Sequence, residues 1–559
     1  MSPEGETMSI EKYFPFKEYY PYQLESIFKI NTSLFNNDKK FFVLEAPTGS
    51  GKSAIAYTIG RQAINEFIVD KEEEMLNCII CTKTKNLQMQ YITSGFEKTE
   101  HIWSSMNYAC PYFDKEYNVH YGRGMCVGAE RCPKSNACKY LIQKRKFMKA
   151  QIGITNYHYF FNARTKANVL ILDEAHSIDK TLCDIYEIEF SEKSIRHIYE
   201  RLIRTGYGDE NKAQIMKLLK KATKSKNEND CLHNINNLMD IMQTSFDKTK
   251  DKIQEEIDEL LDGLIHGSKS ALKRGSDIST VQKSISSLLD KIENCRSSSS
   301  EWIVSRQDEK GVSIKPVRGT EFFKSMTNNV KKILFMSATI CGFEQFCQEL
   351  DLDRTKTDTL EVPATIPVAN RRVLITNTGY LSYKTRTQIL PLFIKKIDEL
   401  LDKLTTNWTN KMRGIIHTVS YANANEIVKT SRYKRHMIIP ENRDLLDIDK
   451  FMKNNTNKII VSPSILEGID LKNDFSRFQI FIKVPFASLG DNWVKKRMES
   501  DSNWYARDTI LKIVQGAGRS IRSKDDWAHT FILDSNINRL FRDHQYMFPK
   551  WFLEAVNFI

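Results

Sequence analysis

A glycine-rich octapeptide has the residue types and spacing of a phosphate-binding loop. Ala46-Pro-Thr-Gly-Ser-Gly-Lys-Ser53 follows a short apolar run and opens a helix-like stretch, with Ala46 where the pattern usually has its first glycine. Glycines let backbone N–H groups close around anionic oxygens at the positive end of a helix. Lys52 can reach β- and γ-phosphates, and Ser53 can ligate Mg²⁺. The predicted phosphate-contacting residues are Ala46, Pro47, Thr48, Gly49, Ser50, Gly51, Lys52 and Ser53.

An acidic pair directly follows another apolar run. Asp173-Glu174-Ala-His176 comes after Val169–Leu172, and unpaired carboxylates at the end of a buried strand are costly for folding alone. The chemical interpretation has Asp173 holding Mg²⁺ and Glu174 orienting and deprotonating the attacking water. The alternative is an ordinary helix start, where acids are favoured in the first turn. Together with the phosphate loop, the pair indicates phosphoryl chemistry.

Two arginines near the C-terminus can complete such a site. In Gln515-Gly-Ala-Gly-Arg-Ser-Ile-Arg522, Arg519 and Arg522 are three residues apart and share one face if the segment is helical. They could stabilise charge developing on a γ-phosphate, a role worth about 10³–10⁵ in rate. The alternative is a pair of solvated surface arginines.

Four of the eleven cysteines are clustered. Cys110, Cys126, Cys132 and Cys138 are separated by 15, 5 and 5 residues. Four thiolates can bind Zn²⁺ or an iron–sulfur cluster, and the absence of C-x₂₋₄-C pairs makes zinc the less favoured metal without excluding it. Because the number of cysteines is odd and they are scattered along the chain, we do not expect a disulfide scaffold. We expect core packing for most of the others, which are Cys78, Cys81, Cys183, Cys231, Cys295, Cys341 and Cys347.

A basic stretch contains the last two of these four cysteines and continues beyond them. The stretch 131–149 contains no acid, and Tyr140 and Phe147 are interleaved with its cations. Cations that follow a phosphate backbone beside aromatic rings that stack on bases are typical of single-strand binding, and a solvated helix face is the alternative. Tyr157, Tyr159 and Phe160 either extend this surface or lie buried beneath it. The basic residues are Arg131, Lys134, Lys139, Lys144, Arg145, Lys146 and Lys149.

The elements that must position these groups alternate between buried strands and helices, which predicts a parallel α/β fold. A polar segment, 185–310, breaks the alternation, and its apolar residues at helical spacing predict amphipathic helices. That stripe consists of Ile253, Ile257, Leu260, Leu261 and Leu264. The predicted strands contain Phe41–Leu44, Asn77–Ile80, Val169–Leu172, Ile333–Phe335, Gly414–Ile416, Lys458–Val461, Ile480–Ile482 and Phe531–Leu533.

The simplest domain plan has two α/β lobes, with a cysteine-bearing insert and a helical insert in the first. The first lobe is expected at 1–95, 156–184 and 311–350, the cysteine insert at 96–155, the helical insert at 185–310 and the second lobe at 351–559.

Composition bounds the class of protein. The chain has 559 residues, 41% hydrophobic and 27% charged, which predicts a globular chain of three or four domains. No apolar run reaches the roughly 18 residues of a membrane span, and the N-terminus lacks the pattern of a secretory signal. We therefore expect a soluble intracellular protein without a membrane partner. The net charge of +12 favours an anionic partner and is explained equally well by solubility.

The order of these motifs over nearly the whole chain resembles superfamily 2 helicases, specifically the XPD-like and DinG-like iron–sulfur DNA helicases. Tyr20-Pro-Tyr-Gln23 is similar to the family's Q element, and Gln515 to Arg522 to its motif VI, Q-x-x-G-R-x-I-R. The remaining similarities are Thr82 to Gln90 with motif Ia, Ser337-Ala-Thr339 with motif III, Gly414 to Tyr421 with motif IV and Glu467-Gly-Ile-Asp470 with motif V.

The resemblance implies more than the residues show alone. It implies two RecA-like lobes, a helical arch, ATP held with the help of Gln23 and Asp470, and a [4Fe–4S] cluster on Cys110, Cys126, Cys132 and Cys138. It also implies 5′→3′ movement on single-stranded DNA and the opening of 5′-tailed or forked duplexes. We further expect a monomer in the cytoplasm near the nucleoid, or in the nucleus of a eukaryotic host.

The sequence leaves the mode of action open. The same motifs would serve an ATP-driven translocase that unwinds DNA in repair or replication, or an ATP switch that clamps or remodels nucleic acid without processive unwinding. An RNA substrate is a further alternative, because contacts to 2′-hydroxyl groups cannot be recognised in a sequence.

Overall fold

The computed structural model contains two seven-stranded parallel sheets and one three-stranded antiparallel sheet. It describes residues 10–67, 75–111, 135–207, 211–264, 269–382, 384–407, 413–441, 448–455, 457–462, 475–521 and 526–559. The predicted α/β class with two parallel-sheet lobes is confirmed.

Every predicted strand segment overlaps a strand, and the predicted ends differ from the observed ones by up to three residues. The strands are β1 (Phe41–Glu45), β2 (Met75–Thr82), β3 (Thr99–His101), β4 (Ile152–Asn156), β5 (Lys166–Asp173), β6 (Ile188–Ser191), β7 (Trp302–Asp308), β8 (Gly311–Pro316), β9 (Lys332–Ser337), β10 (Thr357–Glu361), β11 (Val373–Gly379), β12 (Gly414–His417), β13 (Met437–Ile438), β14 (Ile459–Ser462), β15 (Phe478–Phe481), β16 (His529–Asp534) and β17 (Val556–Phe558).

Helices cover both faces of the parallel sheets. They are α1 (Gln23–Asn31), α2 (Lys52–Glu66), α3 (Lys85–Thr93), α4 (Lys139–Met148), α5 (Tyr157–Ala163), α6 (Ile178–Tyr186), α7 (Glu192–Arg204), α8 (Lys212–Thr223), α9 (Glu228–Leu264), α10 (Lys269–Ser297), α11 (Thr320–Thr327), α12 (Phe343–Glu349), α13 (Arg386–Asn407), α14 (Tyr421–Thr430), α15 (Ile448–Asn454), α16 (Asn492–Ser500), α17 (Ser502–Ala517), α18 (Ile537–His544) and α19 (Lys550–Leu553). Within the described ranges, none of these helices is long and apolar enough to cross a membrane.

The first sheet has the order β10-β1-β9-β5-β2-β4-β3. Its central strands are buried on both faces, as is usual for a parallel sheet covered by helices, and this explains their continuous apolar sequences. Strands β3 and β4 belong to this sheet although they lie within the segment assigned to the cysteine insert. Strand β10, from the segment assigned to the second lobe, pairs with β1 at its edge.

The second sheet has the order β13-β14-β12-β15-β16-β11-β17. Helices α16 and α17 follow β15 closely, and both begin with a capping aspartate. Asp491 accepts hydrogen bonds from the amides of Trp493 and Val494, and Asp501 accepts one from Trp504. Trp493, Val494 and Trp504 of these two helices pack in one apolar cluster with Cys183, Ile303 and Val317.

A separate helical module lies between the two parts of the first lobe. Helices α7 to α10 pack on the sheet β6-β8-β7 around a hydrophobic core of their own. The predicted apolar stripe falls on helix α9, where Ile253 is fully buried. This module corresponds to the predicted helical insert.

Candidate nucleotide site between the two sheets

The predicted phosphate loop connects β1 to α2, as the sequence indicated. Gly49 and Gly51 have φ of 86° and 76°, a left-handed conformation that costs glycine little. A Cβ atom on Gly51 would lie 2.1 Å from Nε2 of Gln23, so this position also lacks space for any side chain. The amide groups at the start of α2 are thus presented to an anion.

Gln23 stabilises the phosphate loop through a hydrogen bond to its backbone. Its Nε2 donates to the carbonyl of Gly51 at 2.9 Å, its Oε1 accepts from the amide of Tyr20 at 3.0 Å, and only 2% of the residue is exposed. The predicted Q element therefore contacts the phosphate loop directly. Tyr20, which lies beside Gly51, is largely exposed.

The loop has polar groups suited to a triphosphate. Lys52 Nζ donates to the carbonyl of Ala46 at 2.9 Å, which keeps the ammonium over the loop. The buried Ser50 hydroxyl has no hydrogen-bond partner in this part of the structure, an unusual state for a buried polar atom outside a binding site. The loop geometry, Lys52 and the uncompensated Ser50 fit a bound ATP.

Asp173 ends β5 within the same site. Burial, together with the neighbouring Glu174, raises the pKa of Asp173 to about 6, although Lys52 partly offsets the effect. Tyr91 Oη donates to Asp173 Oδ2 at 3.0 Å and is also close enough to interact with Ser53. The two predicted magnesium ligands, Asp173 and Ser53, therefore lie on either side of one tyrosine. Sequence reasoning missed Tyr91, which directly follows the predicted motif Ia.

A carboxylate near a hydroxyl at a phosphate site fits Mg²⁺, which prefers oxygen ligands and is often held by one or two carboxylates beside phosphate groups. Asp173 and Ser53 would hold the ion, which would neutralise charge on the phosphates when bound. Tyr157 Oη also donates to the main-chain carbonyl of Asp173 at 2.6 Å and so fixes the end of β5.

Glu174 has φ of +61°, which is uncommon for a residue with a side chain and occurs most often at functional sites. Its Oε2 lies 3.3 Å from Nδ1 of His176 and 3.4 Å from Oγ of Ser337. His176 Nδ1 in turn lies 2.8 Å from Ser337 Oγ. The acidic motif and the predicted motif III are thus in direct contact.

A residue of the second lobe reaches this group. Gln515 Nε2 lies 2.6 Å from His176 Nε2, which makes a hydrogen bond between the two lobes. The result is a continuous hydrogen-bonded chain from Gln515 through His176 and Ser337 to Glu174. Motif VI is therefore coupled to the predicted general base across the lobe boundary.

The end of motif VI faces the phosphate loop. Pro47 and Thr48 line one cavity together with Ala517, Gly518 and Ile521. Arg519 lies in the 3₁₀ turn Gly518–Ser520, next to Gly518, although its side chain is not described. Arg522 and Asp470 lie outside the described residues. The structure thus brings the backbone at Arg519 to the nucleotide site, and its catalytic role stays a prediction.

A buried ionic contact between the lobes was not predicted from the sequence. Arg497 is fully buried, donating to Asp179 Oδ2 at 2.8 Å and to Glu349 Oε1 at 3.2 Å. Arg507 pairs with the other oxygen of Glu349 and donates through Nε to the carbonyl of Ile340 at 3.0 Å. We call these four side chains the interlobe charge cluster. The contacting pairs lie up to 318 positions apart along the chain, so no local sequence pattern reveals them.

Two of the four predicted cluster-ligating cysteines are described, and they lie together. Cys110 and Cys138 are buried in one small apolar group with Leu141, against which Tyr108 and Tyr140 pack. Cys126 and Cys132 lie outside the described residues. Within the described ranges no three potential metal ligands come together, so the metal remains a prediction.

The basic stretch is partly confirmed as a surface. Lys139, Lys144, Arg145, Lys146 and Lys149 are exposed on and just after α4. Phe147 is instead fully buried, as is Tyr157, and Phe160 is 2% exposed, so none of these three rings can stack on a base. Helix α4 exposes its cations on one side and buries Phe147 on the other. Arg131 and Lys134 lie outside the described residues.

Comparisons with known proteins agree with this site. Residues 398–555 match the family of helicase C-terminal domains, and residues 16–205 match the family described as type III restriction enzyme, res subunit. The ATP-dependent DNA helicase YoaA of Haemophilus influenzae is 22% identical over 467 residues, covering 74% of this chain and 68% of that protein. A homologue of regulator of telomere elongation helicase 1 from Caenorhabditis elegans is 27% identical over 109 residues, 17% of this chain and 11% of that protein.

Solved structures share the fold. An XPD helicase superposes with a TM-score of 0.61 at 17% identity, over 97% of this chain and all of the other. The Xpd4 protein of S. tokodaii gives 0.57 at 14% identity, over 97% of this chain and all of the other. The matched helicase C-terminal domain and the fold of two RecA-like lobes support an ATP-hydrolysing helicase, and the chain is similar to the YoaA and XPD helicases.

Proposed function

We propose that this helicase couples ATP hydrolysis to 5′→3′ movement on single-stranded DNA and opens 5′-tailed or forked duplexes in repair or replication. The observation that carries the proposal is the hydrogen-bonded chain from Gln515 to Glu174. It ties the position of the second lobe to the predicted base of ATP hydrolysis. A change in the ATP site therefore changes the contact between lobes, as a motor requires.

The chain's own residues have separable tasks in this cycle. The amide groups of the phosphate loop and Lys52 bind and orient the triphosphate, and Gln23 keeps that loop in place. Glu174 orients the attacking water and accepts its proton, and the contacts with His176 and Ser337 hold its carboxylate. Arg519 would approach the γ-phosphate when the cleft closes.

DNA is the favoured polymer because the YoaA relative is named as a DNA helicase. The exposed cations of α4, a helix without acidic residues, suit the phosphate backbone of any nucleic acid, whose charge dominates affinity. The half-buried Tyr140 remains the aromatic candidate on that surface.

An iron–sulfur cluster on Cys110, Cys126, Cys132 and Cys138 forms part of the proposal. Its support is the common burial of Cys110 and Cys138, which bracket the chain segment that contains the other two. A cluster there would fix the fold of this segment beside the cationic helix. Iron analysis of anaerobically purified protein, with Cys110→Ser as the control, should find about four irons per chain in the wild type. Zinc alone would refute the cluster.

The deciding experiment compares strand displacement on 5′-tailed, 3′-tailed and blunt duplexes with ATPase activity measured with and without single-stranded DNA. We expect stimulation by single-stranded DNA and displacement from the 5′-tailed duplex. Lys52→Ala and Glu174→Gln should abolish both activities. ATPase stimulation without displacement would instead indicate a clamp or remodelling switch, and stimulation by RNA alone would indicate an RNA-directed enzyme.

A further inference from the structure

Helix α17 of the second lobe touches the first lobe at two points of different chemistry. Arg507 lies in the interlobe charge cluster, and Gln515 contacts His176 near the nucleotide site. At a rise of 1.5 Å per residue, these two side chains start about 12 Å apart on one rigid helix. The helix then ends at Gly518, beside Thr48 of the phosphate loop.

The two points differ greatly in how hard they are to separate. Gln515 carries no charge, and water can replace its single hydrogen bond with the partly buried His176. Arg497 and Arg507 are almost wholly buried, and pulling both away would leave Asp179 and Glu349 buried without these two cations. When the lobes separate, they should therefore part at the nucleotide end and stay together at the cluster.

The cluster is also joined to the catalytic segments of the first lobe. Asp179 lies in α6, one turn after His176, and its other oxygen accepts from the amide of Gly319 at 2.7 Å. Arg507 holds the carbonyl of Ile340, which directly follows the predicted motif III. A rotation about the cluster would thus leave these anchors seated while the far end of α17 moves.

We propose that Arg497 and Arg507 form the pivot of the cleft and act as positioning residues for ATP hydrolysis. They stay seated against Asp179 and Glu349 throughout the cycle. Helix α17 swings about them, carrying Gln515 and the turn that bears Arg519 onto and off the nucleotide. The inference rests on the proposed ATP-driven cleft movement and identifies where that movement turns.

Hydrogen exchange of the full-length protein tests the pivot without any substitution. Amide exchange is measured without nucleotide, with a non-hydrolysable ATP analogue and with ADP. Peptides covering 178–186 and 492–500 should differ by less than about twofold between states, while peptides covering 515–521 change by about tenfold or more. Similar changes at both ends, or no change at 515–521, would overturn the pivot. Absent stimulation by single-stranded DNA would separately count against the proposed function.

Two substitutions of Arg507 test positioning directly. We expect Arg507→Gln to lower the DNA-stimulated kcat by about tenfold or more while KM for ATP stays within about threefold, because the phosphate loop is intact. Arg507→Lys keeps the charge and should retain about a third or more of kcat. Rates are counted per titrated ATP-binding site, so that partial unfolding does not lower them.

The matched control is Arg432→Gln, which removes an arginine of the same lobe that is 63% exposed in its ion pair. Its kcat should stay at the wild-type value. A wild-type kcat for Arg507→Gln, or an equal loss in the control, would contradict the positioning role. If Arg507→Gln fails to fold, the exchange measurement on the wild type decides alone.

Discussion

Asp173 and Asp179 are two buried carboxylates whose pKa values are raised to the same extent, although their partners differ. Burial raises the pKa of each to about 6, and a neighbouring glutamate adds to the effect in both. Asp173 faces Lys52, whose ammonium is already held by loop carbonyls, and a tyrosine hydroxyl. Asp179 faces the guanidinium of Arg497, which is fully buried and cannot lose its charge. The charge of Asp173 is therefore left for a bound ligand to neutralise, whereas Asp179 already has a cationic partner in Arg497.

This difference separates a binding site from a structural contact. Removing the charge of Asp173 relieves an uncompensated burial, whereas removing Arg497 leaves the buried carboxylates of Asp179 and Glu349 without that cation. Perturbed carboxylates are often taken to mark active sites, yet structural ion-pair networks perturb pKa values as strongly. The group opposite the carboxylate decides which case applies.

The largest effect is expected for Arg497→Met. It should lower local stability by about 3–5 kcal/mol, because Asp179 and Glu349 lose this cationic partner in a site without solvent. Hydrogen exchange of the α6 amide groups measures that free energy. Arg196→Met, which removes an exposed arginine paired with Glu192, is the control and should change little. Equal effects would show that burial of the ion pair does not raise the cost of breaking it.

A second prediction concerns Glu45, which ends β1 and has a buried oxygen without a hydrogen-bond partner among the described residues. Burial and then Glu361 raise the pKa of Glu45 to about 8 from 4.5. The folded state then holds a proton that the unfolded state loses above pH 4.5, so stability falls as pH rises from about 4.5 to about 8.

Glu45→Gln should remove this dependence. The variant should match the wild type near pH 5 and exceed its stability by about 2–4 kcal/mol at pH 9. Denaturant unfolding across that pH range measures the difference, with the exposed Glu25→Gln as a control that shifts neither end. A constant offset at all pH values would contradict the assigned titration.

The effect of Asp173→Asn on stability should be smaller than that of Arg497→Met and opposite in sign. We expect a gain of about 1–3 kcal/mol at pH 8, where the wild-type carboxylate is ionised, together with loss of ATPase activity. The measurement pairs denaturant unfolding with turnover. A destabilised Asp173→Asn protein would remove the contrast between the two aspartates.

The smallest effect is expected for Tyr91→Phe. Loss of the hydrogen bond to Asp173 should cost about 1 kcal/mol. In the Asp173→Asn background the loss should shrink, because the acceptor no longer carries charge. A double-mutant cycle measures this coupling, and an undiminished loss in that background would place the role of Tyr91 in packing alone.

Much of the site was predictable because its signals are local. The phosphate loop needs glycines with positive φ before a helix, and these leave a contiguous pattern from Ala46 to Ser53. The acidic pair follows an apolar run whose burial the structure confirms. The interlobe charge cluster could not be predicted, since Asp179, Glu349 and Arg497 meet only after two sheets and several crossovers have formed. Phe147 was wrongly predicted to lie on the exposed surface. Its neighbours in the sequence are cations, but it lies on the buried side of α4.

The sequence by itself determined the two-lobe plan, the phosphate loop and the identity of the carboxylates beside it. Periodicity and turn chemistry act over a few residues and are therefore written contiguously. Only the tertiary structure decided which buried charges are matched. Desolvation and Coulomb energies depend on which groups lie within a few ångströms in space, whatever their separation along the chain. In the folded chain, Asp173 lies near Lys52 of the phosphate loop and Asp179 contacts an arginine of the other lobe.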